Sequence, residues 1–403
     1  MNRCGLRTEQ PAAAAPAQDR VQPIRVTLVT HYYPAHRGGV ERIAGQLAER
    51  LTRSGIAQIA WHASDCDAAP AIPGLQYAPA PAWNALERSV GFPYPLWSAR
   101  ALRRLGSAAA GAEVVHLHDC LYLPNLVAFI AARLAGRPVL VTQHVAFVPY
   151  RNPLLRGVLS VANRLVGGFV LRRATRVVFE SATVQRYFAR FVRFRSPPLL
   201  VPNGVDTTAF SPVDPAQREM LRARYGGLPD TPLFLFIGRF VEKKGIDVLR
   251  VLAERFPQVR WVLAGWGPLD PQAWGLPNVS VVRSPTIDEL APLYRAADLF
   301  VLPSAGEGFP LAVQEAMASG TPALIGAETA AGCPIADAPI LSEATAVEDT
   351  ATRWTARIEA LLRDPQRLHE MRPRVAAFAR EHWSWEACVA RYAVILHSCL
   401  ERA

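Results

Sequence analysis

Short apolar runs alternate with amphipathic segments along almost the whole chain. The runs are rich in aliphatic residues and lie at Ile24–Thr30, Val114–Leu117, Val139–Thr142, Val177–Phe179, Leu233–Ile237, Trp261–Ala264, Val279–Val282 and Leu299–Leu302. After the first run, Val40–Leu51 carries apolar residues at helical spacing. Short buried strands that are each followed by an amphipathic helix are typical of parallel sheets covered by helices. The pattern therefore predicts an α/β protein built from doubly wound parallel sheets.

The alternation falls into two halves of similar length. A chain of 403 residues exceeds the ~250–300 residues at which one hydrophobic core stops growing. Arg195–Asp206 contains three prolines, and the alternation of strands and helices restarts after it. We therefore predict a disordered tail at 1–22 and two Rossmann-like domains at 23–198 and 199–382. Ligands bind beyond the carboxyl ends of the strands in such sheets, so the cleft between the domains is the expected site.

The composition excludes several classes of protein. Hydrophobic residues make up 50% of the chain and charged residues 19%, so disorder of the whole chain is excluded. No apolar stretch approaches the ~18–20 residues that a transmembrane helix needs. The first 22 residues lack the apolar centre of a secretory signal, and the six cysteines are far apart, without zinc-site spacing. Both features favour a cytoplasmic protein without a metal site.

The positive charge of the chain is concentrated in one segment. Lys+Arg 44 exceed Asp+Glu 34, which gives a net charge of +10. Residues 151–200 hold ten arginines and one acid, Glu180. Such a segment attracts phosphate, a membrane surface or nucleic acid. It has no signature of an RRM, KH, zinc-finger or helix-turn-helix module, so we expect no nucleic-acid partner.

An apolar stripe runs through the same basic segment. Its members recur at helical spacing and are Leu154, Val158, Val161, Leu165 and Phe169. The arginines predicted to form a membrane or acceptor surface beside it are Arg151, Arg156, Arg164, Arg172 and Arg173. This combination suits a helix that lies on anionic lipid or meets a lipid-diphosphate acceptor. The alternative is a helix packed on the N-terminal sheet with its arginines in water.

Two glutamates flank the start of a predicted helix in Asp298–Ile325. Glu307 lies in the Gly-rich turn after a buried strand, and Glu315 lies eight positions later, about two helical turns away. Pro310 suits the first position of a helix, and the amides around Gly308, Phe309 and Leu311 would suit phosphate oxygens. The alternative is a pair of surface glutamates beside a turn.

Two further segments offer contacts for an anion. In Phe236–Asp247, Arg239 emerges at a strand end, and Lys244 precedes a glycine and a helical segment. Two fixed cations in this position can neutralise a diphosphate, although a solvated basic turn has the same sequence pattern. After the first strand, Gly38 and Gly39 let the backbone approach an anion, or simply form a tight turn.

Three histidines follow buried strands. His144 comes just after Val139–Thr142, and His116 and His118 occupy a similar strand end. A histidine in this position can hydrogen-bond a ligand hydroxyl, or can be a satisfied structural residue. No combination of them has the spacing of a metal site.

In combination, these segments resemble retaining nucleotide-sugar glycosyltransferases of the GT-B fold, family 4. The matching segments run from Gly38 to Tyr392 and read GGVERIAGQLAERL, EVVHLHD, VVFESA, VPNGVDTTAFSP, FIGRFVEKKGIDVL, VLAGWGP, LYRAADLFVLPSAGEGFPLAVQEAMASGTPALI and HWSWEACVARY. The sequence departs from the family at Arg283–Pro285, where a glycine is common, and in the turn after Ile325. These departures affect the choice of base and sugar.

The resemblance implies how the donor diphosphate is held. Gly38 and Gly39 correspond to the diphosphate-facing loop of the N-terminal domain. Arg239 and Lys244 match the pair of cations that binds the diphosphate. The segment 199–382 would then be the nucleotide-sugar donor domain, and 383–403 the helix that crosses back to the N-terminal acceptor domain.

The resemblance also assigns the sugar-binding and nucleotide-binding residues. Glu307 matches the carboxylate beside the transferred sugar, Glu315 the one that binds the ribose hydroxyls, and His144 a histidine near the reacting centre. The catalytic set would be His144, Arg239, Lys244 and Glu307. The turn that completes the donor site would be Gly308, Phe309, Pro310 and Leu311.

The implied activity is retaining, metal-independent transfer of a hexosyl group from a UDP- or GDP-sugar, without a further cofactor. The expected acceptor is a lipid-linked or cell-envelope glycan in polysaccharide biosynthesis. The expected location is the cytoplasm, at the inner face of the cytoplasmic membrane if the basic segment binds lipid. A sugar-nucleotide epimerase on the same fold and a non-catalytic nucleotide-sugar-binding protein are the alternatives.

Overall fold

The computed structural model describes residues 22–34, 39–64, 71–84, 94–146, 153–305, 307–345 and 348–401. The strands are β1 (Ile24–Tyr32), β2 (Ala57–Ser64), β3 (Leu75–Ala80), β4 (Ala82–Trp83), β5 (Leu96–Trp97), β6 (Val114–His118), β7 (Val139–Gln143), β8 (Arg176–Phe179), β9 (Leu199–Leu200), β10 (Leu233–Arg239), β11 (Arg260–Trp266), β12 (Val279–Arg283), β13 (Leu299–Leu302), β14 (Ala323–Gly326) and β15 (Leu341–Glu343).

Helices cover both faces of the sheets. They are α1 (Gly39–Arg53), α2 (Ala99–Gly111), α3 (Leu123–Leu134), α4 (Pro153–Ala162), α5 (Gly168–Arg173), α6 (Ala182–Ala189), α7 (Pro215–Arg224), α8 (Ile246–Arg255), α9 (Ile287–Ala296), α10 (Leu311–Ala318), α11 (Ala327–Ala330), α12 (Thr350–Arg363), α13 (Pro365–Trp383) and α14 (Trp385–Leu400). A π turn at Asn163–Gly167 joins α4 to α5, and short 3-10 turns lie at Glu242–Lys244 and Pro271–Trp274.

Two parallel sheets organise the chain. The first has the strand order β3-β2-β1-β6-β7-β8-β9, and the second has the order β12-β11-β10-β13-β14-β15. The order reverses beside β1 and beside β10, and the neighbouring strands within each sheet are parallel. This confirms the predicted α/β class and doubly wound arrangement. It also puts the carboxyl ends of β1, β6, β7 and β8 along one edge of the first sheet.

The chain crosses between the halves at two adjacent points. Val205 donates its backbone N–H to the carbonyl of Trp383 at 2.7 Å, and its own carbonyl accepts from Trp385 N at 3.2 Å. Gly204 makes this crossing possible, because a Cβ at that position would lie 2.2 Å from the Trp385 ring. Helix α14 then packs on the first sheet, where Tyr392 Oη lies 3.0 Å from Thr142 Oγ1.

The apolar stripe of α4 and α5 faces outward. The exposed fractions of Val158, Val161 and Leu165 are 56%, 54% and 68%, and that of Phe169 is 42%. The opposite side of the segment is buried, where Asn163 donates to the carbonyl of Ala146 at 2.7 Å. The segment therefore packs through the side opposite the stripe and leaves these four apolar side chains toward solvent, which is compatible with both the membrane surface and the packed helix with solvated arginines.

The basic residues of this segment surround the exposed stripe. Arg156, Arg164, Arg172 and Arg173 are all exposed, and the Arg173 guanidinium lies 4.3 Å from the centre of the Phe169 ring. Arg151 and the side chain of Leu154 lie outside what the structure describes, as does nearly all of the predicted tail at 1–22. In the described ranges, no helix is long and apolar enough to cross a membrane.

Candidate active site between the two sheets

A cavity of about 760 Å³ lies between the two halves of the chain. Its volume is within the ~300–1,000 Å³ of ligand sites in proteins. Residues that follow strands of the first sheet line one side, including His144 and Glu180. The turn Glu307–Leu311, which follows β13, lines the other side together with Lys243. The predicted cleft site is thus present at the carboxyl ends of strands from both sheets.

A lysine–glutamate pair lies at the second-sheet side of this cavity. Lys244 Nζ lies 2.6 Å from Glu307 Oε2, and both side chains are largely buried. The neighbouring Lys243 Nζ is 3.7 Å from Glu307 Oε1 and is 55% exposed. The sequence predicted both Lys244 and Glu307 as site residues, and the structure brings them into direct contact.

Gly245 sets the position of this pair. Its φ of 73° lies in the left-handed region, and a Cβ there would be 2.2 Å from the carbonyl oxygen of Pro303. Only glycine allows such close contact between the turn after β10 and the turn after β13. The contact brings Lys244 to the loop that carries Glu307.

The start of α10 faces the same cavity. Gly308, Phe309, Pro310 and Leu311 all line it, as the predicted donor turn requires. Pro310 is the N-cap residue, and the Phe309 ring packs 5.4 Å from the Trp383 ring, centre to centre. The unpaired amides of a helix start carry partial positive charge, so this edge of the cavity favours an anion.

Glu315 lies on α10 away from the lining of this cavity. Its Oε2 accepts a hydrogen bond from Tyr294 Oη at 3.0 Å. Burial raises the pKa of this carboxyl, while the Arg42 guanidinium of α1 and the tyrosine hydrogen bond oppose the rise. Arg42 belongs to the first half of the chain, so a charge from that half acts on this carboxyl.

The structure does not bring every predicted residue into the cavity. Arg239 is exposed at the end of β10, with its guanidinium 4.7 Å from the centre of the Trp266 ring. Gly39 begins α1 and lines the cavity opposite Glu307, whereas Gly38 lies outside the described residues.

His144 is fixed on both sides of its ring. Nδ1 lies 2.7 Å from Glu180 Oε2, and Nε2 lies 2.8 Å from His118 Nδ1. Burial alone would lower the pKa of His144, but Glu180, with Asp119 and Glu41, raises this pKa to about 9. His144 is therefore a buried imidazolium at neutral pH, and it donates through both nitrogens.

The neighbouring histidines are neutral. Burial, together with the positive charge of His144, lowers the pKa of His116 to about 3. Burial, followed by the neighbouring His116 and His144, lowers the pKa of His118 well below its usual range. His118 Nδ1 must then accept the proton of His144, which places the His118 proton on Nε2. Nε2 is buried and has no hydrogen-bond partner within the described part of the chain.

The sequence analysis did not identify Glu180, the partner of His144, as a site residue. It also did not identify Arg186 and Arg190, which line the same cavity as Lys243. Glu180 could have been singled out, since it is the one acid of the basic segment and directly follows a strand. Arg186 and Arg190 line the cavity, and Arg186 Nη2 donates to the carbonyl of Ala331 in the second half at 2.7 Å. Part of the charge of this segment therefore faces the cavity.

No metal centre is formed by the described residues. Nowhere in these ranges do three or more His, Cys, Asp or Glu side chains come together in a way that could hold a metal ion. Both ring nitrogens of His144 are already engaged, by Glu180 and by His118.

Two family models match the chain. The family described as Glycosyltransferase Family 4 matches residues 37–209. The family described as Glycosyl transferases group 1 matches residues 231–364. The two matches include β10, β13, α10 and the strand ends that carry His144 and Glu180.

Curated relatives and solved structures show the same likeness. The chain is 32% identical over 305 residues to a D-inositol 3-phosphate glycosyltransferase of Segniliparus rotundus. The match covers 70% of this chain and 65% of that protein. It is 30% identical over 322 residues to the corresponding protein of Xylanimonas cellulosilytica, covering 72% of this chain and 75% of the relative. The Anabaena HepE structure in complex with UDP is similar with a TM-score of 0.71 and 19% identity, over 93% of this chain and 100% of HepE.

Proposed function

Because this chain belongs to glycosyltransferase family 4, we propose that it moves a hexosyl group from a UDP- or GDP-sugar to a glycan acceptor. The chain is a glycosyltransferase, and its likeness to HepE and other solved glycosyltransferases confirms the GT-B fold predicted from the sequence. One observation carries the finer proposal: Glu307, which is paired with Lys244, and the start of α10 line one cavity together with His144. HepE, which has the same fold, was solved with UDP.

The proposed reaction develops charge at two places. The bond from the anomeric carbon to the diphosphate oxygen breaks and its electron pair goes to the diphosphate. The acceptor oxygen bonds to the same carbon, and its hydroxyl proton passes to the departing diphosphate oxygen. Lys244 and the amides at the start of α10 would stabilise the negative charge on the diphosphate, and Glu307 the positive charge on the sugar. Since fixed cations supply this stabilisation, we propose metal-independent transfer. Retention of the anomeric configuration is proposed from the resemblance to retaining enzymes of the family.

Donor binding would rearrange the lysine–glutamate pair. Lys244 Nζ is bonded to Glu307 in the structure described here. A diphosphate carries more negative charge than one carboxylate, so it would compete for the lysine and release Glu307 toward the sugar. Arg239 at the rim of the cleft would add a second cation. His144 and Glu180 would form the fixed polar wall on the acceptor side.

We predict that donor binding and transfer can be detected separately. A saturating UDP- or GDP-hexose, at ~100 times its Kd, would stabilise the fold by ~2.7 kcal/mol and raise the melting temperature. A product should form only when an acceptor glycan is present. Thermal melting and mass spectrometry of the products test this. Conversion of the donor sugar without any acceptor would instead show the epimerase alternative, and binding without turnover would show a non-catalytic protein.

The exposed apolar stripe supports a lipid-linked acceptor. Val158, Val161 and Leu165 face solvent beside exposed arginines, which is the pattern of a helix that lies at the surface of an anionic membrane. We propose that α4 and α5 rest on the inner face of the cytoplasmic membrane and hold the cavity near its acceptor.

The double variant Val158→Asp/Leu165→Asp should weaken binding to vesicles that contain anionic lipid by about tenfold or more, because it removes two apolar contacts and adds negative charge. The matched control is Val394→Asp, which changes an exposed valine of α14, 70% exposed, on another part of the surface. Flotation with and without anionic lipid measures the effect. Equal binding of both variants and the wild type would contradict the proposed membrane surface.

A further inference from the structure

A second cavity of about 530 Å³ lies at the opposite edge of the second sheet. Asp298 marks this edge, because it precedes β13 and its Oδ2 accepts from the backbone N–H of Leu233 at the start of β10 at 2.8 Å. Strand β10 has seven residues, so at ~3.3 Å per residue the two edges of the sheet are ~20 Å apart. The second cavity is therefore separate from the cleft.

Three arginines line this second cavity, and two of them pair with the partly buried carboxylate of Asp298. Arg222 Nη1 lies 2.6 Å from Asp298 Oδ2, and Arg218 pairs with Asp298 Oδ1. Arg372 lines the same cavity, and its Nη1 donates to the carbonyl of Ala297 at 2.7 Å. The other acid in the lining, Asp230, is at an exposed position. The lining therefore holds three arginines against two acids.

Part of this charge has a structural role at the end of α9. The carbonyls of Arg295, Ala296 and Ala297, which end this helix, accept hydrogen bonds from the three arginines. A helix C-terminus carries the equivalent of about half a negative charge. Together with Asp298 and the carboxylate of Glu219, which pairs with Arg222, it balances about two and a half of the three positive charges and leaves a surplus of about one half.

The donors of Arg218 and Arg222 are not all used. The Nε atoms of both are buried and without a hydrogen-bond partner among the described residues. Arg222 Nε lies 3.5 Å from the carboxylate of Glu219, which is 55% exposed. Buried N–H groups of this kind are costly unless something accepts from them. Burial lowers the pKa of Arg372 to about 9, and the positive charges of Arg218 and Arg222 act in the same direction. The negative charge of Asp298 opposes this shift.

The remaining walls are apolar. Phe234 and Leu368 are buried, and Leu362 is partly buried at the same cavity. Thr231 and Gln366 add polar groups beside them. A wall of this kind accommodates the carbon skeleton of a small ligand, while the arginines attract its charge.

We propose that this second cavity binds a small organic phosphate, with the phosphate held by Arg218 and Arg372 and the organic part against Phe234 and Leu362. Guanidinium groups bind phosphate oxygens through paired N–H donors, which makes phosphate the anion that fits this surplus best. The proposal does not depend on the transfer reaction in the cleft.

The test uses inorganic phosphate and phenyl phosphate as probes, titrated calorimetrically at constant ionic strength. The Lys244→Ala variant is the reference protein, because it removes the cleft lysine and leaves the second cavity intact. We expect one binding event in this reference, with phenyl phosphate bound more tightly than inorganic phosphate. Adding Arg218→Gln and Arg372→Gln should weaken that binding about tenfold or more, whereas Arg372→Lys should retain most of it.

A second variant guards against misfolding. Gln366→Trp places a large side chain at an exposed position on the wall of the cavity and leaves all three arginines in place, so it should block phenyl phosphate while the protein melts as the reference does. The absence of a binding event in the reference would overturn the proposal. Unchanged affinity in the Gln366→Trp variant, or in a folded double arginine variant, would overturn it as well.

Discussion

Replacing Lys244 with alanine is expected to lower kcat/KM by a factor of ~10²–10³, because one fixed cation at a developing charge contributes about that much to an enzymatic rate. Lys244 is the right cation to remove since its Nζ lies 2.6 Å from Glu307 and is largely shielded from solvent. The loss should appear mainly in kcat, since the charge on the diphosphate grows only as the sugar bond breaks. Steady-state kinetics with the donor identified by thermal melting measures it.

The adjacent lysine gives a matched control. Lys243→Ala removes the same charge from the next position, but this lysine is 55% exposed and lies 3.7 Å from Glu307. Solvent screens an exposed charge, so its removal should change kcat/KM by less than about tenfold. Equal losses in the two variants would show that only the total charge of the turn matters, and a full rate in Lys244→Ala would remove this lysine from the mechanism.

Replacing Glu180 with alanine is expected to destabilise the fold by about 3 kcal/mol below pH 6.5. The variant leaves the His144 ring buried without the carboxylate that raises its pKa to about 9. Because the pKa of His144 in the folded state lies above the ordinary 6.5, protonation of this ring stabilises the folded state. The stabilisation is complete below pH 6.5 and is lost as the pH rises through 9. The difference between wild type and variant should therefore shrink across pH 6.5–9.

Denaturant unfolding at several pH values measures this difference, and an NMR titration of His144 follows its pKa directly. Glu381→Ala is the matched control, because it breaks a histidine–glutamate pair at the surface, where His382 Nε2 lies 3.8 Å from a carboxylate that is 75% exposed. Surface pairs contribute ~0–1 kcal/mol. A loss in Glu180→Ala that stays constant between pH 6 and 10 would contradict the imidazolium assigned to His144.

Much of the fold follows from the hydrophobic pattern. The predicted strand at Leu299–Leu302 has the observed bounds, and the predicted Val139–Thr142 ends one residue short of β7, because buried parallel strands appear in the sequence as nearly continuous apolar runs. Strand β2, at Ala57–Ser64, was not predicted. It contains His62, Ser64 and Gln58, so it lacks the unbroken apolar run used to find the others.

The candidate site was only partly predictable for a different reason. Lys244, Glu307 and the start of α10 follow strands at recognisable turns, so local sequence is enough to find them. The role of Glu180 depends on its contact with His144, which comes from the neighbouring strand and lies 36 positions away in the sequence. The second cavity is harder still to predict from the sequence. Arg218, Asp298 and Arg372 are far apart in the chain and come together only in the folded structure.

The return of α14 to the first sheet has a consequence for how the protein is made. The N-terminal core includes Trp385, Tyr392 and Leu396 alongside residues of β1 and α1. Synthesis runs from the N-terminus, so the ribosome delivers these three residues after the whole second half, and the first half emerges with part of its apolar interior uncovered. The first half can therefore complete its core only after the second half has been made.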